Sequence, residues 1–275
     1  MRDARLSPAN TRVAHRSLRD QAGERQIVDG EERQVLAPLA DICGTPNGPR
    51  LRQALFGETV LVLEERDGQA FVQTLKDGYV GYIQAANLCP PGKASHWVSA
   101  AATHLYPRAD IKSRAVVRLP FGARLSVEQA SAPFTQTNGG FFVPSAHIRP
   151  LQSHMDCPAT VAALFLGTPY LWGGNSRDGI DCSGIVQAAM LACNIPCPAD
   201  SDMQEAELGT TLCAGEKHRR NDLLFWKGHV GLCVDDQTLI HANAHHMAVA
   251  FEGISAAITR INAQGGGPVT AHKRV

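Results

Sequence analysis

Cys182 and two histidines are the strongest candidates for covalent chemistry in this chain. Cys182 lies in the segment Asp181-Cys182-Ser183-Gly184, directly before a predicted helix. Lowering a thiol pKa from about 8.5 to about 6, where the thiolate dominates at neutral pH, requires about 3.4 kcal/mol. A helix N-terminus supplies about 0.3–1 kcal/mol and at most ~2 kcal/mol, so an imidazolium beside the sulfur must supply the rest. A nucleophilic Cys182 that is ionised at neutral pH therefore requires a neighbouring histidine.

His229 and His241 are the candidates for that neighbour, and they lie in one predicted hairpin. His229 begins the strand 229–234, His241 ends the strand 238–241, and residues 235–237 form the turn. An antiparallel register that pairs residue 229 with residue 241 places the two Cβ atoms on one face, about 4.5–5.5 Å apart. One imidazole would then act as a base and the other would orient it. A register shifted by one residue would place them on opposite faces.

Each of these residues also has a purely structural interpretation. A lone cysteine before a helix is commonly a small buried hydrophobic residue, and His229 alone could be an ordinary strand-end histidine. His241, His245 and His246 have a spacing that hints at a metal site, but the residues between them give no strong helix signal. The ordered motifs described below favour a nucleophilic Cys182, and we expect no metal and no cofactor.

The segment that holds these residues has helix signals first and strand signals later. Apolar spacing predicts helices over residues 159–165, 183–193 and 203–208, the last of them capped by Asp200 and Ser201. Strands follow, over residues 223–226 and within the hairpin described above. Helices followed by a sheet indicate an α+β fold for residues 153–275.

Residues 31–152 have a different pattern, with short apolar runs separated by Gly, Pro and Asn. Strands of this length are typical of small all-β barrels. Leu55-Phe56-Gly57-Glu58 resembles Pro120-Phe121-Gly122-Ala123, so the simplest account is two tandem barrels over 31–92 and 93–152. The segment Cys89-Pro90-Pro91-Gly92 marks the linker. Residues 1–30 are expected to form a solvated and partly disordered arm.

The composition argues against several classes of function. The 275 residues carry 26 Lys and Arg against 26 Asp and Glu, and a net charge of zero argues against nucleic-acid binding and against a polybasic membrane anchor. The apolar runs fall short of the roughly 18 residues that a membrane span needs. The N-terminal residues do not read as an export signal, so we expect a cytoplasmic protein with reduced cysteines.

Ordered motifs make residues 153–260 resemble the NlpC-type family of bacterial cell-wall cysteine peptidases. The motifs are, in order, Pro169-Tyr170-Leu171-Trp172-Gly173-Gly174, Asp181-Cys182-Ser183-Gly184, Asp200-Ser201 with Gln204, Asp222-Leu223 with Phe225, His229-Val230-Gly231 and Leu239-Ile240-His241-Ala242. The resemblance implies a papain-like catalytic fold. The two preceding barrels look like bacterial Src-homology-3-like domains, and the combination is similar to the γ-D-glutamyl-L-diamino acid endopeptidase branch of the family.

The resemblance implies a role for each matching residue. Cys182 would be the nucleophile, His229 the general base and His241 the residue that orients this base. The substrate cleft would be lined by Tyr170, Trp172, Asp181, Ser183, Asp200 and Ser201. The first barrel would contribute Glu58 and Tyr79, since in that branch the barrel caps the site and binds the free amine of L-alanine.

The function implied by the resemblance is that of a thiol protease of muropeptide recycling. The reaction is hydrolysis of the amide between γ-D-glutamate and a diamino acid, meso-diaminopimelate or lysine, in peptides with a free N-terminal L-alanine. The expected partner is this small peptide, bound by a monomer, with neither nucleic acid nor membrane. Two alternatives stay open: an acyltransferase or amidase on the same fold, and a peptide-binding or wall-binding module with an inactive third domain.

Overall fold

The chain divides after Leu151 into two units, 1–151 and 152–275, and the division lies one residue before the predicted boundary. The computed structural model describes residues 3–213 and 215–275. Among these residues, no helix has both the length and the apolar character that crossing a lipid bilayer requires.

The first unit consists of short strands joined by turns and short 3-10 helices. Its strands are β1 Val13–His15, β2 Gln26–Val28, β3 Glu31–Val35, β4 Leu39–Cys43, β5 Arg50–Leu55, β6 Thr59–Arg66, β7 Gln69–Thr74, β8 Val80–Gln84, β9 Leu88–Cys89, β10 His96–Val98, β11 Ala102–Leu105, β12 Val117–Pro120, β13 Arg124–Leu125, β14 Val127–Gln129, β15 Phe134–Thr137, β16 Phe142–Pro144 and β17 Ile148–Pro150. Its 3-10 helices are Ala4–Leu6, Arg16–Gln21, Ala85–Asn87 and Ser145–His147. Most of these strands have the length that the turn spacing predicts for small all-β domains.

Strands β3 to β9 form a seven-stranded antiparallel sheet in the order β5-β4-β8-β7-β6-β3-β9. Strands β10 to β17 form smaller antiparallel sheets: β13-β10-β17, β11-β12 and β14-β15-β16. Strands β5 and β9 are the edges of the larger sheet among the described residues, so its hydrogen-bond ladder ends there and does not close into a complete barrel.

The two halves of this unit repeat the same local structure. The turn after β5 and the turn after β12 each contain a glycine with positive φ, Gly57 at +76° and Gly122 at +83°. A strand, a 3-10 helix and a strand follow near the end of each half, with the 3-10 helices over Ala85–Asn87 and Ser145–His147. Glycine adopts positive φ without strain, so the repeated Phe-Gly pair in the sequence marks an equivalent turn.

The prediction of a solvated N-terminal arm is wrong for residues 3–28. Strands β1 and β2 pair in parallel, and Val13 packs into a buried cluster with Leu63, Phe71 and Val80. Arg12 binds the carboxylate of Glu64 through two nitrogens, each 2.6 Å from an oxygen. The arm lacks a continuous apolar stretch of its own, and its order comes from residues that lie some fifty positions later in the chain.

The second unit has four helices and one large antiparallel sheet among its described residues. Its helices are α1 Pro158–Ala163, α2 Cys182–Ala192, α3 Ser201–Glu207 and α4 Ile254–Ala263. Its strands are β18 Asn175–Ser176, β19 Gly179–Ile180, β20 Thr210–Thr211, β21 Leu223–Trp226, β22 His229–Cys233, β23 Thr238–Asn243, β24 Ala248–Gly253 and β25 Ala271–Arg274. The six-stranded sheet has the order β20-β25-β21-β22-β23-β24. The predicted helices and the hairpin are present, whereas β24, β25 and α4 have no counterpart in the sequence-based prediction.

Helix α4 covers one face of this sheet. Ile254, Ala257 and Ile261 recur at helical spacing and pack with sheet residues that include Trp226 and Leu239. Leu239 pairs with Glu252 across β23 and β24, and opposed residues of a pair point to the same face. The side chain of Glu252 therefore lies on the face that α4 covers.

Candidate active site

Asp181 holds the turn that leads into α2 and so fixes the position of Cys182, the first residue of that helix. One oxygen of Asp181, Oδ1, accepts the N–H of Gly184 at 2.7 Å and the hydroxyl of Ser183 at 3.0 Å. The other oxygen, Oδ2, accepts the N–H of Gly173 at 2.8 Å. Asp181 is thus an N-cap that also fastens the Tyr-Leu-Trp-Gly-Gly segment to the start of α2. Both oxygens are engaged, so a role for Asp181 in lining the substrate cleft stays a prediction.

The sulfur of Cys182 is buried beside the start of β22. Burial is the largest influence on the thiol and raises the pKa of Cys182 to about 12, and the negative charge of Asp181 acts in the same direction. The N–H groups of Val230, Ser183 and Cys182 itself stabilise the thiolate and lower this pKa. Val230 directly follows His229, so the fold brings the thiol to the strand that carries the first histidine.

The sequence predicts a Cys182 thiolate stabilised by a neighbouring imidazolium, whereas the burial of Cys182 and His229 disfavours the charged form of each group. Burial also lowers the pKa of His229, to about 3, with His241 and Arg260 acting in the same direction and Glu252 opposing them. The thiol and the imidazole are therefore each neutral when considered alone. A charge on either group alone is therefore disfavoured by its burial.

The two histidines lie on the same face of the sheet, but their register differs from the predicted one. Leu232 pairs with Ile240, so Gly231, and not His229, is the residue opposite His241. The turn is longer than expected because Asp235 accepts the N–H groups of residues 237 and 238 at 2.9 and 2.7 Å. A shift of two residues keeps each side chain on its face, and the imidazoles meet diagonally.

The diagonal contact is close. Nε2 of His229 lies 2.9 Å from Nδ1 of His241, and the ring centroids are 5.1 Å apart. Gly231 lies opposite His241, and a Cβ atom there would meet the side chain of Leu239 at 3.3 Å and Cβ of His241 at 3.7 Å. Trp226 pairs with His229 across β21 and β22, with ring centroids 5.7 Å apart, and it forms an apolar wall on the other side of the imidazole.

Two residues that the sequence analysis did not single out complete this set. Nε2 of His241 lies 3.0 Å from Oε2 of Glu252, and Arg260 binds both oxygens of that carboxylate at 2.9 and 2.7 Å. The guanidinium is the largest influence on Glu252 and lowers its pKa to about 2. Burial lowers the pKa of His241 to about 4, although Glu252 opposes this. The result is an uninterrupted line of polar contacts from His229 to Arg260.

Two further predicted cleft residues come close to Cys182 or to the start of its helix. Burial, together with the charges of Cys182 and Asp181, raises the pKa of Tyr170 to about 12, so its phenol stays protonated and can donate. Ser183 is buried, and its hydroxyl donates to Asp181. Trp172 follows Tyr170 after one residue and is 67% exposed, which leaves its indole accessible to a ligand.

Asp200 and Ser201 lie at the start of α3 and reach the active-site helix through Gln204. The side-chain amide of Gln204 donates to the carbonyl of Ser183 at 2.9 Å and to that of Pro198 at 3.1 Å. Asp200 occupies the N-cap position, and both Asp200 and Ser201 keep part of their surface accessible. Their roles as substrate-binding residues stay predictions.

Glu58 lies at a small cavity of the first unit. The cavity has a volume of about 180 Å³ and is lined by Glu58, Thr59, Leu75, Lys76 and Arg124. Nζ of Lys76 lies 2.6 Å from Oε1 of Glu58, so the carboxylate is already paired with a cation. Its buried Oε2 finds no hydrogen-bond partner among residues 3–213 and 215–275 and is the oxygen open to a further donor.

Tyr79, the other barrel residue predicted to bind substrate, is only 3% exposed. The guanidinium of Arg52 lies over its ring, 5.9 Å from the centroid. Its carbonyl accepts the N–H of Thr74 at 2.9 Å. The ring is therefore largely inaccessible to solvent, and substrate binding by Tyr79 stays a prediction.

A metal ion would find three donors near the second histidine, but two of them are already bonded. His241, His246 and Glu252 place one ligand atom each within 4.8 Å of one another. His241 and Glu252 bind each other, and the charge of Arg260 beside Glu252 disfavours a cation there. His245, the histidine of the HxxxHH spacing that is not among these three donors, packs its ring against that of His246, with centroids 4.8 Å apart.

Comparison with known proteins agrees with this geometry. A model of the NlpC/P60 family matches residues 167–261, and a model described as a bacterial dipeptidyl-peptidase Sh3 domain matches residues 42–88. The chain is 30% identical over 213 residues to the gamma-D-glutamyl-L-lysine dipeptidyl-peptidase of Bacillus subtilis, which covers 69% of this chain and 71% of that relative. The chain belongs to the NlpC/P60 family. This confirms the resemblance that the ordered motifs indicated.

Two further comparisons concern a second relative and the fold. Dipeptidyl-peptidase 6 of Lysinibacillus sphaericus is 23% identical over 235 residues, covering 76% of this chain and 86% of that protein. The solved structure of an NlpC/P60 family protein from Bacillus cereus has a TM-score of 0.74, with 18% identity, and covers 89% of this chain and 99% of the other. The fold class is therefore confirmed, and the chain is a peptidase that acts on peptidoglycan peptides.

Proposed function

We propose that this peptidase hydrolyses the amide bond between γ-D-glutamate and a diamino acid, in muropeptides with a free N-terminal L-alanine, through a covalent intermediate on Cys182. The observation that carries the proposal is the placement of the buried thiol at the start of α2, next to the N–H of Val230. Val230 directly follows His229, whose ring contacts His241 at 2.9 Å. The names of two relatives, a gamma-D-glutamyl-L-lysine dipeptidyl-peptidase and a dipeptidyl-peptidase, support this class of substrate.

The reaction begins with the proton of the Cys182 thiol. His229 takes this proton as the thiolate attacks the carbonyl carbon, and the carbonyl π bond becomes a lone pair on oxygen. N–H groups at the start of α2, including that of Cys182, stabilise this oxyanion. His229 then returns the proton to the amine nitrogen as the C–N bond breaks, and the diamino acid leaves as a neutral amine.

Water completes the cycle. His229 removes a proton from a water molecule that attacks the thioester, and the tetrahedral species collapses to the carboxylic acid and the Cys182 thiol. His241 stays bonded to His229 through Nδ1 and holds this ring in place throughout. Each step uses protons and electron pairs of the protein, the peptide and water, so neither a metal nor a cofactor takes part.

The test is cleavage of L-Ala-γ-D-Glu-meso-diaminopimelate and of its lysine analogue, with products identified by mass spectrometry. We expect wild-type protein to release the diamino acid and Cys182→Ala to release none, with an unchanged thermal transition. Cys213→Ala, at an exposed thiol in the same unit, serves as the matched control and should retain full activity. Residual cleavage by Cys182→Ala at the wild-type rate would overturn the assignment.

The same assay separates the other activities of a cysteine enzyme on this fold. An added amine that appears in the product in place of water would identify an acyl transferase, and the hydrolase proposal would then be wrong. Binding of the peptides without turnover would identify a binding module and would also overturn the proposal.

A further inference from the structure

The line of contacts beyond His241 ends in a half-buried ion pair, whose two residues lie on β24 and α4, far from Cys182 in sequence. Glu252 is the penultimate residue of β24, and Arg260 lies on α4, the helix that directly follows this strand. Their side chains are 11% and 17% exposed, and the His241 side chain is fully buried. Both carboxylate oxygens accept N–H groups of the guanidinium, a two-point geometry that fixes the carboxylate plane.

The protonation of Glu252 determines the arrangement of hydrogens along this line. Arg260 keeps Glu252 ionised, and an ionised carboxylate accepts hydrogen bonds but cannot donate them. Nε2 of His241, 3.0 Å from Oε2 of Glu252, must therefore carry a hydrogen. A neutral imidazole carries one hydrogen, so Nδ1 of His241 is an acceptor.

The same reasoning extends by one ring. Nδ1 of His241 accepts, so Nε2 of His229, 2.9 Å away, must carry a hydrogen. The neutral ring of His229 then has its lone pair on Nδ1. This is the nitrogen that does not contact His241, and it is the atom left to take a proton.

We propose that Glu252, held by Arg260, is a positioning residue that sets the tautomer of both histidines, so that His229 presents an unprotonated Nδ1 to the Cys182 thiol. This inference rests on the proposed function, since it takes His229 to be the base that receives the Cys182 proton. Glu252 itself touches neither the thiol nor the base and acts through His241.

The charge of Glu252 has a second effect once the proton has moved. Several groups face the buried imidazoles: Arg260 of α4 and His246 of the turn after β23 oppose a further positive charge on His241, whereas Glu252 favours it. Glu252 favours a positive charge on His229 as well. The carboxylate thus stabilises the charge that forms when Cys182 loses its proton, while Arg260 keeps that carboxylate in one orientation.

The position of Arg260 follows from the packing of α4. Ile254, Ala257 and Ile261 bury one stripe of this helix against the sheet, and Arg260 lies beside that stripe. Glu252 lies on the same covered face of the sheet, so the arginine reaches it without crossing the core. An ion pair at this place could also serve only to attach α4 to β24, and the experiment must separate the two roles.

The experiment combines ring spectroscopy with kinetics on the full chain. Protein with ¹⁵N-labelled histidine shows, in long-range ¹H–¹⁵N spectra, which ring nitrogen carries the hydrogen. We expect Nε2–H forms for His229 and His241 in the wild type. In Glu252→Gln we expect this pattern to be lost, because the glutamine amide can donate a hydrogen bond to Nε2 of His241 and so reverse the direction of the hydrogen bonds between the rings. Cleavage of the tripeptide should fall about 100-fold in kcat/KM, less than the loss of about 10⁴ seen when the wrong tautomer is imposed directly on a catalytic histidine.

Variants of the arginine and a matched control test the same point. Arg260→Lys keeps the charge and should retain the tautomers and most of the activity, whereas Arg260→Met should lose both. Glu207→Gln makes the same chemical change at an exposed carboxylate of α3 and should behave as the wild type. If Glu252→Gln loses the wild-type thermal transition, Arg260→Met decides the question by the same two measurements.

Three results would overturn the inference, and they are distinct from failure of the proposed function. Unchanged Nε2–H forms in Glu252→Gln would show that the carboxylate does not set the tautomers, and so would Nδ1–H forms in the wild type. Altered tautomers together with undiminished cleavage would show that the tautomers do not matter to the reaction. If the tautomers respond as expected but the wild-type protein cleaves no γ-D-glutamyl peptide, the positioning stands and the proposed substrate is wrong.

Discussion

Replacement of Asp181 tests how firmly the start of α2 is held, because this one side chain accepts three hydrogen bonds. The donors are the N–H groups of Gly184 and Gly173 and the hydroxyl of Ser183. All three residues are buried. Asp181→Ala removes every acceptor, whereas Asp181→Asn keeps one oxygen for the helix and turns its amide toward Gly173, where two donors then face each other.

The cost can be worked out bond by bond. A buried donor left without an acceptor costs about 1–3 kcal/mol. Asp181→Ala leaves the N–H groups of Gly173 and Gly184 without their acceptor, which costs about 2–6 kcal/mol together. Asp181→Asn strands only the N–H of Gly173 and costs about 1–3 kcal/mol. Domains are stable by only about 5–15 kcal/mol, and for a unit of this size 1 kcal/mol corresponds to roughly 3–5 °C in Tm. We therefore expect Asp181→Ala to melt at least roughly 6 °C below the wild type.

The reactivity of the thiol should change in the opposite direction to stability. The charge of Asp181 raises the pKa of Cys182, so its removal in Asp181→Asn lowers this pKa and increases the thiolate fraction. We expect faster alkylation of Cys182 by iodoacetamide at pH 7.5, measured on the Cys182 peptide by mass spectrometry. Burial raises the pKa of Cys157, but hydrogen bonds of Thr160 and Arg220 outweigh it and bring this pKa to about 7, so this thiol must be followed separately.

Asp236→Asn, at an exposed turn residue of the same unit, is the matched control for both measurements. It should leave the transition and the alkylation rate unchanged. The reasoning fails if Asp181→Ala unfolds within 2 °C of this control, roughly the scatter expected of a surface change. It also fails if alkylation of Cys182 slows in Asp181→Asn, since the charge would then not act as described.

Two further predictions concern pH and the barrel carboxylate. Burial lowers the pKa of His229 to about 3 and that of His241 to about 4 in the folded protein. Below about pH 6.5, the ordinary histidine pKa, the unfolded chain therefore binds more protons than the folded one. The contribution of these two histidines to stability is complete above about pH 6.5 and is lost as the pH falls toward 4. Urea unfolding of the wild type should give a lower free energy of unfolding at pH 5 than at pH 7.5. This loss should be smaller in His229→Asn and the same as in the wild type in the exposed control His245→Asn. Equal stability of the wild type at both pH values would contradict the prediction. Glu58→Gln should reduce turnover of the free-amine tripeptide more than that of its N-acetylated analogue, with Glu65→Gln as control, and equal losses on both peptides would mean that Glu58 does not select the amine.

Local signals in the sequence were sufficient for the parts of the active site that lie on one element. The Asp181-Cys182-Ser183-Gly184 segment predicts a helix from residue 183, and α2 begins one residue earlier, at Cys182, where Asp181 caps the free N–H groups of the first turn. The two histidines share a face because side chains alternate with a period of two along a strand. That periodicity survives an even shift in register, so the prediction of one face holds although the predicted pairing was wrong.

The N-terminal arm illustrates what sequence patterns cannot provide. Residues 3–28 have no amphipathic stripe of their own, and they become ordered because Val13 and Arg12 meet partners on β6 and on neighbouring strands. Contacts between residues far apart in sequence leave no local pattern, and only the folded chain shows them.

The line from His229 to Arg260 has the same origin. The sequence by itself determined which residue types were present, where α2 begins and that both imidazoles point the same way. The tertiary structure decided that the thiol is buried, that the two imidazoles meet diagonally, and that Glu252 and Arg260 extend the line of contacts beyond His241. These outcomes depend on the pairing of β23 with β24 and on the packing of α4 across the sheet, and burial, which sets the direction of each pKa shift, is a property of the assembled fold.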